Sequence, residues 1–313
     1  FFHIFNLTDF SESGNFCISD NLTRMVKMRI IFSIAGLITF IFFFAAIPLS
    51  ITIDGGLSIN IKGMPNLIIN YLSGLWNGES FIYLEGTNNA YNYLEEVPSY
   101  FLTSLWYLLL AGILSVTIGM LISAWYSRSK KEWMKDIIGF LGTIPDFILV
   151  LLLQLGVVFI YQSAGFKIAR VASRSADENA YLLPLITLTL IPAIYLIRTL
   201  SERTYDELAK DYILTAKAKG LKKRFIYIHH VIRNVLPFLT ADLHKVLAIM
   251  MSNLFIVEYL FNIRGLTALV FGGTMYQYPF IVNTLFALAF LYGIVYWVIR
   301  FLILVLKRVF AHD

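Results

Sequence analysis

The sequence predicts an all-α integral membrane protein with six transmembrane helices. Hydrophobic residues make up 58% of the chain and charged residues only 14%, whereas about a quarter of the residues in a typical soluble domain are charged. Several apolar runs reach the roughly 20 residues that a helix needs to cross the hydrocarbon core of a bilayer. The net charge of +5 needs no nucleic-acid partner, because Lys and Arg collect on the cytosolic side of membrane proteins.

The apolar runs set the approximate limits of the spans. The predicted spans cover residues 25–53, 100–125, 137–161, 181–200, 234–257 and 280–306. Pro145 is expected to kink the third span, because proline lacks an N–H and its ring clashes with the preceding turn. Asn234 is expected to cap the fifth span, with Pro237 in its first turn. The strongest basic clusters then lie on one side of the membrane, which places both termini in the cytosol.

Two segments lie outside this arrangement, whose main body is residues 100–310. Residues 1–24 show no sustained periodicity and precede Met25, which a basic flank follows as in a native start. They are interpreted as an N-terminal extension, and a non-native addition and a cytosolic tail both remain open. Residues 54–99 are polar and hold five acidic residues against one basic residue, so we expect an extracellular insert that acts as a cap or docking surface.

Sequence motifs for catalysis or nucleotide binding are absent. The chain has no G-x-x-x-x-G-K-[ST] phosphate-binding loop and no G-x-S-x-G, H-E-x-x-H or C-x-x-C pattern. His229 and His230 are adjacent and would face different directions on a helix, which argues against a shared metal ion. The single cysteine, Cys17, excludes an internal disulfide. We therefore expect no catalytic residue, no metal site and no cofactor bound by this chain.

Polar side chains recur along one stripe of the fifth predicted span, namely Asp242, Lys245, Ser252 and Asn253. Charged groups inside spans are costly and usually face the interior of a bundle. Asp242 and Lys245 are three residues apart and would be able to neutralise one another. The stripe is therefore either the polar lining of a translocation path or a structural ion pair near the inner edge of the membrane. Glu258, by contrast, is expected at the outer end of the span, within reach of water.

A basic elbow, residues 201–233, joins the fourth and fifth spans. It holds the largest excess of Lys and Arg in the chain and has no acidic residue from Tyr212 onward. Apolar residues recur at helical spacing on either side of Gly220, which predicts two short amphipathic helices. Gly220 is expected to adopt the left-handed conformation that ends the first of them.

The elbow resembles the cytoplasmic EAA loop of binding-protein-dependent ABC transporter permeases of the oligopeptide, dipeptide and nickel type. The resemblance is carried by DYILTAKAKG at residues 211–220 and HVIRNVLP at residues 230–237. It extends over roughly Tyr91 to Phe310, because further segments occur in the family's order: EVP at 96–98, TIPDF at 143–147, LP at 183–184, VEYLF at 257–261, GL at 265–266 and YP at 278–279. Leu214 and Thr215 stand where the general motif has Glu and Ala, a departure that bears on the cargo more than on the fold.

This resemblance implies the type I ABC importer permease fold, in which the elbow is the coupling loop and forms a cytosolic coupling helix that seats in a groove of an ATPase subunit. By position, Ala216 and Gly220 match the second Ala and the Gly of the motif. The residues expected to couple to the ATPase are Thr215, Ala216, Lys217, Ala218, Gly220 and Leu221. Small residues would let a partner approach closely, and the surrounding lysines would reach acidic groups at the rim of its groove.

The resemblance also implies partners, location and activity. The implied partners are a homologous second permease subunit, two cytosolic ATPase subunits that bind the ATP, an extracellular substrate-binding protein and the lipid of a bacterial inner membrane. The implied activity is ATP-driven import by alternating access. Oligopeptides or dipeptides are the expected cargo, and nickel or other metal chelates are the alternative.

Two functions of other classes fit the sequence less well. An ion-coupled secondary transporter would show internal repeats and acidic residues deep in the membrane, whereas no convincing repeat is found and Asp242 falls near the cytosolic end of its span. A membrane enzyme or assembly scaffold would need a catalytic cluster or a docking domain, and the sequence shows neither.

Overall fold

The computed structural model describes residues 16–52, 58–59, 63–85, 89–126, 132–173, 179–271 and 276–311. Its helices are α1 Phe16–Ser50, α2 Met64–Asn77, α3 Tyr93–Tyr126, α4 Glu132–Leu141, α5 Asp146–Ala164, α6 Leu182–Leu208, α7 Asp211–Ala218, α8 Lys223–Ile226, α9 Arg233–Leu260, α10 Leu266–Phe271 and α11 Tyr278–Ala311. The chain divides into two compact units, one within residues 1–96 and 273–286 and the other within residues 97–272 and 287–313.

Six helices among the described residues are long and apolar enough to cross a membrane. The candidate spans are Lys27–Ser50, Tyr93–Ser123, Asp146–Ala164, Leu182–Leu208, His229–Leu260 and Tyr278–Arg308. Their number and order confirm the predicted six spans. Helix α1 begins at Phe16, nine residues before Met25, while residues 1–15 of the predicted N-terminal extension lie outside the described residues.

The first unit combines α1 and α2 with two antiparallel hairpins. Strand β1 (Ile51–Thr52) pairs with β2 (Ser58–Ile59), and β3 (Ile82–Glu85) pairs with β4 (Asn89–Asn92). Aromatic side chains supply its interior, as in the contact of 4.6 Å between the ring centres of Tyr83 and Phe280. Tyr71 donates a hydrogen bond of 2.7 Å to Asn283 Oδ1, and Asn283 Nδ2 donates one of 2.7 Å to the Ser80 carbonyl. The polar insert is therefore folded, and residues from the start of α11 complete its core.

In the second unit, small residues of α3 allow the close approach of α6. Ser115 is fully buried and donates a hydrogen bond of 3.0 Å to the Thr189 carbonyl. One helical turn further along, a Cβ at Gly119 would lie 2.8 Å from the Cβ of Leu196. Small residues at such contacts are typical of helix packing in membranes. Lipid is as apolar as a helix surface, so helices associate through close van der Waals packing rather than through the hydrophobic effect.

The predicted kink at Pro145 is instead a complete break. Helix α4 ends at Leu141 and α5 begins at Asp146, with Pro145 in an extended conformation as the residue that precedes the new helix. The Pro145 carbonyl accepts hydrogen bonds from the N–H groups of Ile148 and Leu149 at 3.0 and 3.2 Å. The single span predicted over residues 137–161 is therefore wrong, because the residue before a proline is disfavoured in helical geometry and Gly142 adds no helical preference of its own.

The predicted start of the fifth span is also wrong. Helix α8 continues through a π-helical turn, Tyr227–Ile232, directly into α9, so helical backbone runs without interruption from Lys223 to Leu260. Asn234 caps nothing, since Ile232 and Arg233 before it are already helical. Likewise α6 continues to Leu208, eight residues beyond its predicted end. The elbow is thus shorter than predicted, and only α7 and the turns beside it stand apart from the two spans.

Candidate functional site

Helix α7 presents one face to its own chain and the other outward. Ile213 and Ala216, three residues apart, are both buried and belong to the hydrophobic core of the second unit. Their position corrects one expectation, because Ala216 was expected on the face that meets a partner and instead anchors α7 on this chain. Residues three or four apart on a helix share a face, so the residues between these two point away from the core.

The outward face of α7 carries an apolar stripe within a basic border. Leu214 and Ala218 are exposed four residues apart on α7, the spacing of one helical face, and Leu221 is exposed in the turn that follows Gly220. The exposed border consists of Thr215, Lys217, Lys219, Gly220 and Lys222. We call these eight residues the coupling surface. An apolar strip with lysines around it is suited to an apolar groove with an acidic rim.

Gly220 ends α7 as predicted. Its φ of +75° is in the left-handed region, where a side chain would be strained. The Leu221 N–H donates a hydrogen bond of 3.3 Å to the Ala216 carbonyl, and the Gly220 N–H donates one of 3.0 Å to the Lys217 carbonyl. These bonds close the last turn and satisfy carbonyls that a helix end would otherwise leave free. The turn fixes Leu221 beside the end of α7.

A buried carboxylate connects α7 to the two neighbouring spans. Glu207, near the end of α6, is 3% exposed and lies 2.6 Å from Lys210 Nζ. Its Oε1 atom accepts a hydrogen bond of 2.7 Å from Asn234 Nδ2 at the start of α9 and another from the hydroxyl of Tyr212 in α7. Asn234 Nδ2 also donates to the Tyr212 hydroxyl at 2.7 Å. We call these residues, Glu207, Lys210, Tyr212 and Asn234, the Glu207 clasp.

The clasp was not foreseen from the sequence. Desolvation raises the pKa of the Tyr212 phenol to about 12, and the hydrogen bond to Glu207 acts in the same direction, so the phenol remains a donor at neutral pH. The one signal in the sequence was the position of Glu207 as an acidic residue at the edge of a strongly basic segment. Such an acid either forms a solvated pair or becomes buried with several donors, and only the structure distinguishes the two.

The predicted polar stripe of the fifth span does not form one polar face. Asp242 is half-buried, whereas Lys245 and Ser252 are exposed and Asn253 is 1% exposed. Among the described residues no ion pair joins Asp242 to Lys245, because Lys245 Nζ lies 4.6 Å from the ring centre of Tyr195 instead. Of the four side chains, only that of Asn253 is fully buried. Within the described part of the chain, its amide makes no hydrogen bond of full geometry.

Glu258 is buried rather than open to water. It is 1% exposed and accepts hydrogen bonds from Ser104 Oγ of α3 at 2.5 Å, from the Thr267 N–H at 2.8 Å and from the Thr267 hydroxyl. A Cβ at Gly265 would overlap its carboxyl group. The side chain thus fastens α10 to α3 and α9. Its expected exposure was wrong because one donor, Ser104, lies 154 residues away and the other two belong to Thr267, beyond the end of α9.

Within the described residues, no group of three or more His, Cys, Asp or Glu side chains is arranged to hold a metal ion.

Residues 115–313 match the family described as binding-protein-dependent transport system inner membrane component. The chain belongs to this family. The matched region contains α7, the coupling surface and every member of the Glu207 clasp. Family membership confirms the resemblance drawn from the sequence and, with the six helices, the type I importer permease fold.

Individual permeases of this family show the same relationship at low identity. The glutathione transport system permease protein GsiC of Salmonella choleraesuis is 27% identical over 197 residues, which are 60% of this chain and 61% of that protein. The dipeptide transport system permease protein DppB of Lactococcus lactis is 26% identical over 163 residues, 50% of this chain and 52% of that protein. The chain thus matches less than two thirds of the length of these relatives.

A third relative has a different name, the metal-staphylopine import system permease protein CntB of Staphylococcus aureus. It is 24% identical over 154 residues, 49% of this chain and 47% of that protein. Among solved structures, the MetNI methionine ABC transporter in inward-facing conformations covers 69% of this chain and 97% of the compared chain, at a TM-score of 0.48 and 13% identity.

Proposed function

We propose that this chain is the membrane-spanning permease subunit of an ATP-driven ABC importer that translocates oligopeptides or dipeptides delivered by an extracellular binding protein. Family membership supports the transport role. Two of the relatives support the cargo, since their names assign them to glutathione and dipeptide transport. The proposed partners are a homologous second permease subunit, the binding protein and two cytosolic ATPase subunits that bind the ATP.

The observation that carries this proposal is the orientation of α7. Its buried residues Ile213 and Ala216 hold the helix on this chain, while Leu214, Ala218 and Leu221 remain uncovered. An apolar stripe on a short helix outside the spans gains nothing from exposure to water. An ATPase groove is the partner that the coupling surface fits, with the lysines of its border directed at acidic groups on the rim.

The Glu207 clasp gives this docking helix a route to the spans. When ATP binding closes the two ATPase subunits, their grooves displace α7, and the clasp conveys that displacement to the end of α6 and the start of α9. The spans then alternate between outward-open and inward-open states. A ligand shifts such an equilibrium only by its difference in affinity for the two states, so the ATPases supply the free energy and this chain converts it into movement.

The orientation in the membrane follows from the same proposal. The coupling surface must face the cytosol, which places α7, the C terminus and the N terminus on the inner side of a bacterial inner membrane and residues 54–99 outside. Tagging or protease mapping that placed Lys217–Arg224 on the external side would overturn both the orientation and the proposed function.

A metal chelate is the second candidate cargo. It is favoured by the similarity to a permease named for metal-staphylopine import. Uptake of a radiolabelled dipeptide and of a radiolabelled nickel chelate, measured side by side with the purified complex in liposomes, separates the two. Uptake driven by an ion gradient in the absence of ATP would instead indicate a secondary transporter.

Recovery of the ATPase subunits tests the docking directly. Leu214→Asp places a charge in the apolar stripe, and Leu72→Asp on α2 is its matched control, because the two leucines are 52% and 49% exposed on short helices outside the spans. With an affinity tag on this chain, we expect wild type and Leu72→Asp to retain the ATPase subunits and Leu214→Asp to lose them. Full retention by Leu214→Asp would show that the coupling surface is not the docking site.

A further inference from the structure

The break between α4 and α5 places a carboxylate among apolar residues. Asp146 is the first residue of α5, with Ile137 to Ile144 before it almost wholly apolar and Phe147 to Leu153 after it entirely so. Its side chain is half-buried. A carboxylate facing lipid at this position would be strongly unfavourable, so acidic residues in spans normally face a protein interior or a water-filled path.

A second polar side chain lies opposite this carboxylate. The Asn253 side-chain amide of α9 is a hydrogen-bonding neighbour of the Asp146 carboxylate, although among the described residues the contact falls short of full hydrogen-bond geometry. Asn253 is 1% exposed. A buried carboxamide has two donors and an acceptor oxygen, so one imperfect contact leaves Asn253 with capacity for a further group.

Asn253 lies within the candidate span His229–Leu260, while Asp146 is the first residue of the candidate span Asp146–Ala164. Asn253 is seven residues before Leu260 and twenty after Arg233, which correspond to about 10 Å and about 30 Å along the helix. The neighbouring Gln154 of α5 donates a hydrogen bond of 3.2 Å to the Leu260 carbonyl and fixes α5 beside this half of α9. Broken helices with a polar group at the break are the form that substrate sites take in other transporters.

We propose that Asp146 and Asn253 form a binding site for the cationic amino group of a transported solute, such as the free N terminus of a peptide. The carboxylate attracts the ammonium group, Asn253 Oδ1 accepts one of its N–H bonds, and Asn253 Nδ2 donates to the carbonyl that follows the amino group in a peptide. This inference rests on the proposed function, because it assumes that a solute passes this point.

Cysteine labelling tests the site without requiring transport. The chain has one cysteine, Cys17, so Cys17→Ser provides a background free of thiols. Phe147→Cys then places a reporter thiol beside Asp146 at a side chain that is 50% exposed. The probes are 2-aminoethyl methanethiosulfonate, which carries an ammonium group, and 2-sulfonatoethyl methanethiosulfonate, which carries an anion, each with its rate normalised to that of a free thiol.

We expect the ammonium reagent to react about tenfold faster than the anionic one, the effect of a single nearby charge at reduced dielectric. Asp146→Asn should abolish this preference and Asp146→Glu should keep it. Asp136→Asn, which removes an exposed carboxylate of α4, should leave it unchanged. Equal rates with Asp146 present, no reaction with either reagent, or a preference that survives Asp146→Asn would each overturn the site.

An uptake measurement links the site to the solute. In complexes that retain their ATPase subunits, Asp146→Asn should lower the uptake of tri-alanine about tenfold relative to wild type, the factor expected for one lost charge contact. Unchanged uptake would show that Asp146 does not bind the amino group of the transported solute. Failure to recover ATPase subunits with wild type would overturn the proposed function and leave the labelling result standing, so the two failures are distinguishable.

Discussion

Asn234 Nδ2 lies 2.7 Å from the Glu207 carboxylate, although 27 residues separate the two. Everything between them is the end of α6, the short helix α7 and the helical segment that leads into α9. The hydrogen bond therefore closes the elbow into a loop whose base is fixed on two spans. Tyr212 joins the same contact from α7, so α7 is attached at the point where α6 ends and α9 begins.

The clasp is expected to stabilise the fold more than an exposed ion pair does. Asn234→Leu removes a donor from the buried Glu207 carboxylate, and we expect a loss of about 1–3 kcal/mol in the free energy of unfolding. Glu202→Gln is the control, because Glu202 pairs with Arg198 at 3.7 Å with both side chains largely exposed; it should cost at most about 0.5 kcal/mol. Chemical unfolding of the purified protein measures both, and equal losses would contradict the role of the clasp.

The turn after α7 depends on glycine at one position. Gly220→Ala meets no neighbouring atom but must adopt a φ of +75°, which we expect to cost about 1–2 kcal/mol. Gly156→Ala, within α5 and equally free of contacts, should be neutral or stabilising by up to about 1 kcal/mol. Thermal unfolding of the two variants gives the comparison. If both behave alike, the left-handed turn is not what holds Leu221 in place.

Two substitutions of Glu258 are expected to separate the cost of losing its charge from the cost of losing its hydrogen bonds. Glu258→Leu leaves the Ser104 hydroxyl, the Thr267 N–H and the Thr267 hydroxyl without their acceptor, and we expect these unsatisfied buried groups to destabilise the fold by about 2–5 kcal/mol. Glu258→Gln keeps one side-chain oxygen as an acceptor and should cost less than half as much. Unfolding in denaturant provides the measurement, and a larger loss for Gln than for Leu would argue against this account.

Close packing of α3 on α6 is expected to exclude larger side chains at one glycine. Gly119→Leu places atoms against Leu196 and should cost about 1–3 kcal/mol through overpacking. Gly36→Leu on α1, where no atom lies within 4 Å of the new Cβ, serves as the control and should have little effect. The yield of folded protein after detergent extraction and its melting temperature report the difference, which disappears if the two helices separate easily.

The parts of this molecule that follow from local patterns could be predicted from the sequence. The apolar runs give the six spans because length and hydrophobicity alone decide insertion, and Gly220 marks the end of α7 because few other residues adopt its conformation. The contacts that define the site could not be predicted in this way. Glu207 meets Asn234, and Glu258 meets Ser104, across 27 and 154 residues, and no local pattern encodes such distances.

The errors have the same origin. Pro145 signals a disturbance of the helix, but a proline alone does not determine whether the helix bends or stops. Ala216 fits a motif associated with a partner, yet burial of its neighbour Ile213 decides which way α7 faces. A motif in the sequence identifies a segment, and only the packing of that segment assigns its faces.

The π-helical turn at Tyr227–Ile232 lies within the continuous helix that begins beside the coupling surface and enters the membrane as α9. A turn of this kind holds an additional residue and has weaker axial hydrogen bonding than the α-helix around it. A force applied at the elbow would therefore deform the π-helical turn first, while α9 would move as a rigid helix. Replacing the π turn by a regular helix would rotate every side chain of α9 relative to the elbow, so the orientation of α9 relative to α7 depends on a single inserted residue.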